Sequence, residues 1–226
     1  MWIKICANTS LEDAQLAAEL GADAVGFIFA PSPRQVSAVD VAHITPHLPE
    51  GLECVGVFHA LQAEEIADAA QESGLTAVQL HGGVDLELAR QLDRIFNGQV
   101  KLIQTVQWQV DGGDASASLV AQQLREIAAE GLVDRVLIDS KIGAATGGTG
   151  VSFDWNAART TFADAGAGLK LIVAGGLHPE NVAEAIRRLN PWGIDVTSGV
   201  EQSPGRKSPE KLSAFIRAAR ESSANT

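Results

Sequence analysis

The sequence predicts one α/β domain over residues 1–226, a (β/α)8 barrel of the TIM type. Three observations lead there: eight short β-branched runs spaced along the whole chain, amphipathic segments between them, and a length close to the roughly 250 residues of one such barrel. Most of the runs are nearly continuous apolar stretches, the pattern of parallel strands covered on both faces.

In order, the runs are Ile3 to Cys6, Ala24 to Phe29, Cys54 to Phe58, Ala77 to Leu80, Leu102 to Val106, Arg135 to Ile138, Leu171 to Ala174 and Ile194 to Thr197. The segments Ser10 to Leu20, Gln62 to Glu72, Asp85 to Phe96 and Ser116 to Glu130 read as helices, rich in Ala, Leu, Glu and Gln. Ser10-Leu11-Glu12-Asp13 offers a capping start, Gly21 and Gly74 offer stops, and Pro179 falls at the first turn of the seventh helix. Val110 to Ala115 reads as a plain turn before the fifth helix. An open doubly wound sheet alternates the same elements, but eight units in one domain favour closure.

Composition narrows the function classes. With 46% hydrophobic and 20% charged residues the chain can bury a large core. A net charge of −11, with the Lys and Arg residues scattered, argues against nucleic acid or an anionic membrane as partner. No apolar run is long enough to span a bilayer, and Met1-Trp2-Ile3-Lys4-Ile5-Cys6 enters structure without a leader, so the expected location is cytoplasmic. The two cysteines, Cys6 and Cys54, read as free thiols, and no Cys/His spacing suggests a metal.

In a barrel, chemistry sits at the carboxyl ends of the strands. Gly175-Gly176 follows the seventh run and Ser198-Gly199 the eighth, where glycines let backbone N–H groups approach an anion and a short extra helix starting near Ser198 would aim its positive end at a phosphate. Gly147-Gly148-Thr149-Gly150, in the long loop Lys141 to Gly150, is a third anion-binding candidate through Gly148. Ordinary turns also use glycine for positive φ, so the coincidence of the two turns with the usual phosphate position carries the argument.

Among titratable groups, Cys6 and Asp139 end the first and sixth runs, where a thiol and a carboxyl can act as base and acid on either side of a small substrate. The thiol, ~8.5 when unperturbed, must then be lowered or meet an acidic proton; the carboxyl must be raised by desolvation. Arg34 lies in the loop after the second run and His81 ends the fourth; both join the substrate-binding candidates. Cys54, at the far end of its strand, reads as core, Asp195 as a carboxylate bound to nearby backbone, and His59 has no evident partner.

Taken together, Lys4-Ile5-Cys6, Gly21-Ala22-Asp23-Ala24-Val25-Gly26-Phe27, Ser32-Pro33-Arg34, Val78-Gln79-Leu80-His81-Gly82, Ile138-Asp139, Gly147-Gly148-Thr149-Gly150, Phe153-Asp154-Trp155, Gly175-Gly176-Leu177, Pro179-Glu180-Asn181-Val182 and Asp195-Val196-Thr197-Ser198-Gly199-Val200-Glu201 resemble phosphoribosylanthranilate isomerase of tryptophan biosynthesis. The likeness spans nearly the whole chain in order. It implies a cofactor-free Amadori rearrangement of N-(5′-phosphoribosyl)anthranilate to 1-(2-carboxyphenylamino)-1-deoxyribulose 5-phosphate, with Asp139 as general acid and Cys6 as general base. It also implies Arg34 near the anthranilate carboxylate, phosphate on the glycine turns, a phosphorylated aminosugar as the only partner, and a monomer or homodimer. The sequence departs from the family at Ala7, where Gly is usual beside the Cys, with Asn8 next. It departs again at His59-Ala60, in place of an Asn, and at Gln104, in place of a Lys.

Rival readings each lack a part. Indole-3-glycerol-phosphate synthase needs strand-end lysines, whereas Lys101 and Lys170 lie at strand beginnings, and ribulose-phosphate 3-epimerase needs a metal set. A bifunctional aminoaldose isomerase that also serves histidine biosynthesis stays open as the alternative, although its usual pair of strand-end aspartates would put Asp where Cys6 stands. A catalytically silent phosphate-binding barrel would have no need of both Cys6 and Asp139.

Overall fold

The computed structural model describes residues 1–141 and 154–224. Eight parallel strands close into the expected barrel: β1 (Trp2–Ile5), β2 (Ala24–Ile28), β3 (Glu53–Phe58), β4 (Ala77–Leu80), β5 (Lys101–Gln109), β6 (Arg135–Lys141), β7 (Leu171–Val173) and β8 (Gly193–Val196), paired in chain order with β8 returning to β1. Helices α1 (Leu11–Glu19), α2 (Ala38–Ala42), α3 (Ala63–Glu72), α4 (Leu86–Phe96), α5 (Gly113–Glu130), α6 (Trp155–Ala165), α7 (Val182–Leu189) and α8 (Pro209–Ser223) surround it.

Local chemistry sets the ends of the helices. The Ser10 hydroxyl accepts from the Asp13 N–H, the Asp85 carboxylate from the Leu88 N–H and the Ser208 hydroxyl from the Lys211 N–H, each satisfying a donor that a helix start leaves free. Two expectations shift. Val110–Gly112 is a 3-10 turn and α5 already starts at Gly113, because the Ser116 hydroxyl accepts from the Gln109 N–H and ties the strand end to the helix. Pro179 lies ahead of the seventh helix, whose N-cap is Asn181; it belongs to the turn that helix follows. The fifth strand also runs further than its apolar stretch, to Gln109, through pairs such as Gln107 with Asp139.

Apolar burial divides into two layers. A large cluster that includes Phe27, Phe58, Leu92, Leu124 and Phe215 fills the space between strands and helices. A smaller one, Ala24, Val55, Ala77, Ile103, Leu137, Ile172 and Ala174, fills the barrel interior. Because alternate strand residues point inward, Trp2, Lys4 and Cys6 share the interior face of the first strand. Small neighbours make room for them: a Cβ on Gly26 would lie 2.7 Å from Cys6 Sγ and 2.9 Å from Lys4 Cε.

The end of the barrel opposite the loops that follow the strands is closed by a charged plug. The Arg135 guanidinium lies 4.9 Å from the Trp2 ring centre and 5.0 Å from that of Trp192. It donates through both Nη1 and Nη2 to the Glu53 carboxylate, which also accepts from Trp2 Nε1. No helix among the described residues is long and apolar enough to cross a membrane.

Candidate active site

A cavity of about 330 Å³ opens at the carboxyl end of the strands. Its lining brings together Cys6, Arg34, His81, Asp139, Gly175, Gly176, Ser198 and Gly199, which come from six of the eight strand ends or the loops after them. Gly148 lies outside the described residues, as does most of the glycine-rich loop that carries it.

Cys6 stands one residue past β1, its N–H donating to the Val196 carbonyl at 2.8 Å. The turn after it depends on Ala7, which holds φ +62°, the left-handed conformation in which a glycine would be unstrained. Asn8 secures that turn, with Nδ2 donating to the Ile5 and Gly26 carbonyls at 2.8 and 3.2 Å. The Ala7 departure therefore preserves the backbone path. Gln104 is also structural: buried on the outer face of β5, it donates to the Gly83 carbonyl at 2.8 Å and pins the loop that begins at His81.

Burial shifts both candidate proton-transfer groups in the same direction. Burial raises the Asp139 carboxyl to about 7, helped by the negative charge of Asp195 and opposed by Lys4, so much of it is protonated at neutrality. His81 Nε2 lies 4.0 Å from its Oδ2. The Cys6 thiol is also pushed up, chiefly by burial, with Lys4 pulling the other way and Asp195 adding to the rise. The free protein therefore does not meet the condition of a lowered thiol. Cys54, at the beginning of β3, is pushed up to about 11 by burial, as befits a core thiol.

Beneath the cavity lies a polar layer that sequence reading missed. Lys4 is fully buried, and its Nζ donates to Gln79 Oε1 at 2.9 Å and to Asp195 Oδ1 at 3.1 Å. Gln79 Nε2 in turn donates to Thr105 Oγ1 at 3.1 Å. Strand register explains the ion pair: Lys4 and Asp195 are direct partners where β8 meets β1. Asp195 therefore binds a side-chain cation rather than nearby backbone, and it lines the cavity. Period-two alternation was the available signal, since Lys4 precedes Cys6 by two residues and shares its face.

A second buried lysine was also missed. After β8 comes a 3-10 turn, Ser198–Val200, which is the short helix expected there, and then a hairpin of β9 (Glu201–Ser203) and β10 (Arg206–Lys207). Lys207 Nζ donates to the Cys6 carbonyl and lies 3.5 Å from Glu201 Oε1. Glu201 grips Arg34 through both Nε and Nη2, the latter at 2.7 Å, and so fixes the guanidinium at the cavity wall.

The glycine turns meet closely. Gly175 and Gly176 hold φ +85° and +64°, and a Cβ on Gly199 would lie 1.9 Å from the Leu177 carbonyl oxygen. Glycine is thus required there by the approach of one turn to the other. Asn181 locks the first turn by donating to the Gly176 carbonyl at 2.9 Å and accepting from the His178 N–H. No group of His, Cys, Asp and Glu among the described residues is arranged to hold a metal ion.

Residues 3–218 match the family model described as N-(5′-phosphoribosyl)anthranilate isomerase. The chain belongs to this family. Curated isomerases of that name from Citrifermentans bemidjiense and Rubrobacter xylanophilus are 38% and 39% identical to it, the first over 95% of this chain and 94% of its own, the second over 96% and 98%. The crystal structure of the phosphoribosyl anthranilate isomerase from Thermotoga maritima superposes with a TM-score of 0.83 at 35% identity, covering 98% of this chain and 99% of that one. Another solved family member, 34% identical with a TM-score of 0.78 and the same coverage, is in complex with reduced 1-(o-carboxyphenylamino)-1-deoxyribulose 5-phosphate.

Proposed function

We propose that this chain converts N-(5′-phosphoribosyl)anthranilate to 1-(2-carboxyphenylamino)-1-deoxyribulose 5-phosphate, with Asp139 as general acid and Cys6 as general base. The observation that carries the assignment is the state of Asp139. A carboxyl raised to about 7 shares one cavity with a thiol, so it can still donate a proton at neutral pH.

In the first step Asp139 protonates the ring oxygen as the C1′–O bond breaks, and the nitrogen lone pair forms the iminium. Cys6 then removes the C2′ proton. The electrons of that C–H bond form the C1′=C2′ double bond and return the iminium pair to nitrogen, giving an enolamine. Protonation at C1′ and loss of the enol proton yield the ketose. The iminium acidifies the C2′ proton, which compensates for a thiol raised by burial.

Substrate placement follows the lining. Arg34, held at the wall by Glu201, turns its remaining guanidinium N–H groups to the anthranilate carboxylate, and the Gly175-Gly176 and Ser198-Gly199 turns receive the phosphate. His81, beside Asp139, contacts the sugar.

The test is turnover of freshly made substrate, with the ketose product separated and quantified. Wild-type protein should form it, and Cys6→Ser and Asp139→Asn should each lower kcat by ~10²-fold or more, which is about 2.7 kcal/mol of barrier. Full activity in either variant removes that residue from its role, and an inactive wild type overturns the reading.

A further inference from the structure

Cys6 and Asp139 raise a shared difficulty. An acid near 7 beside a base above its ordinary value means that the productive form, thiolate with neutral carboxyl, is a minority species at every pH. Something in the barrel must keep that minority populated. The layer beneath the cavity is the place to look, because its charges are buried and their geometry is fixed.

Lys4 is fully buried and is absent from the cavity lining, so it cannot reach a substrate. It lies on the same strand face as Cys6, with Gly26 flanking both side chains closely. Its ammonium donates to Gln79 and Asp195, both of which line the cavity. A buried cation needs anionic neighbours, and here those are the Asp195 carboxylate and, when ionised, the Cys6 thiolate and the Asp139 carboxylate.

We propose that Lys4 is a positioning residue for Cys6: its buried ammonium stabilises the thiolate, while Asp195 fixes the ammonium and limits that stabilisation. This inference rests on the assignment of Cys6 as base. Lys207 also favours the thiolate, but more weakly than Lys4, and the other charged groups around Cys6 are committed elsewhere. Lys207, from β10, spends its Nζ on the Cys6 carbonyl and Glu201, and Arg34, from the loop after β2, is gripped by Glu201. His81 and Asp139 face the cavity from β4 and β6, and Asp139 adds negative charge when ionised. Burial and Asp195 work against the thiolate, and Lys4 opposes them both.

The experiment follows alkylation of Cys6 by iodoacetamide against pH, read at that residue by mass spectrometry so that Cys54 does not interfere. Three proteins are compared: wild type, Lys4→Met and Lys4→Met/Asp195→Asn. The expected order of alkylation midpoints is Lys4→Met highest, by one pH unit or more over wild type, with the double variant between them. Lys4→Met should also lose tenfold or more in kcat with KM within about threefold. A folded Lys4→Met protein with an unchanged midpoint overturns the proposal. If that variant does not fold, the double variant, which leaves neither charge orphaned, decides: a midpoint above wild type supports the proposal and one at or below it overturns it. Alkylation is read without substrate. The midpoints therefore test Lys4 even if Cys6→Ser retains turnover and the assignment of the base fails.

Discussion

The barrel buries charge at both ends, and the two ends treat it differently. At the amino end of the strands, Arg135 stands over the adjoining rings of Trp2 and Trp192, whose centres are 5.4 Å apart, and is held by both Glu53 oxygens. At the other end, Lys4 pairs with Asp195 and also favours the Cys6 thiolate, while at Asp139, with His81 4.0 Å away, burial outweighs the pull of Lys4. A cation held by two carboxylate oxygens and two rings contributes rigidity. A carboxyl whose burial is not offset by its neighbours holds its proton at neutral pH, which is the property an acid catalyst needs.

The largest effect expected from this contrast lies at the plug. Arg135→Met leaves Glu53 with Trp2 Nε1 as its remaining side-chain donor and should destabilise the fold by about 3 kcal/mol, the low end of the ~3–5 kcal/mol for breaking a buried pair. The low end applies because Glu53 is partly exposed (26%). The kcat of the folded fraction should be unchanged. Urea unfolding alongside turnover separates the two, and a variant that loses kcat but not stability would assign the plug to function.

The opposite outcome is expected at Asp139. Its carboxyl ionises near 3.8 in the unfolded chain and at about 7 in the fold. Between those values the folded state keeps a proton that the unfolded chain has released, so stability is fully present below pH 4 and falls as pH rises through 7. The shift sets a ceiling of roughly 4 kcal/mol, and a side chain that lines an open cavity relaxes enough to bring the expectation to about 2 kcal/mol. Asp139→Asn should therefore be inactive yet more stable than wild type at pH 8, with little difference at pH 4. Equal stability of the two proteins at both pH values would mean that the carboxyl is not held protonated.

Much of this contrast was legible in the sequence, and the part that was not has a common cause. Apolar runs and glycine stops marked the strands and turns because these signals are local. Cys6, Asp139 and the Gly175-Gly176 and Ser198-Gly199 turns could be placed at strand ends from position alone. Lys4, Asp195, Glu201 and Lys207 could not, because each acquires its role from a partner remote in sequence: Asp195 for Lys4 is 191 residues away. A lysine in a short strand looks like a solvated residue until register sets a carboxylate beside it. Arg34 lines the cavity, and its bidentate hold by Glu201 came only with the hairpin after β8.

The smallest prediction concerns backbone strain, which also divides by end. Four non-glycine residues among those described have positive φ: Asn97 and Asn190, which end helices on the plug side, and Ala7 and Ala60, which follow strands on the cavity side. Asn tolerates the left-handed region through its short polar side chain, whereas Ala has no such compensation. Strain therefore accumulates on the side of the candidate site. Ala60 is exposed, so its substitution removes little packing. Ala60→Asn should stabilise the protein by ~0.5–1 kcal/mol, and Asn190→Ala should destabilise it by a similar amount. Urea midpoints measure both. If Ala60→Asn also lowers kcat, the strained turn after β3 takes part in presenting the site; if kcat is unchanged, the strain at that turn is incidental to catalysis.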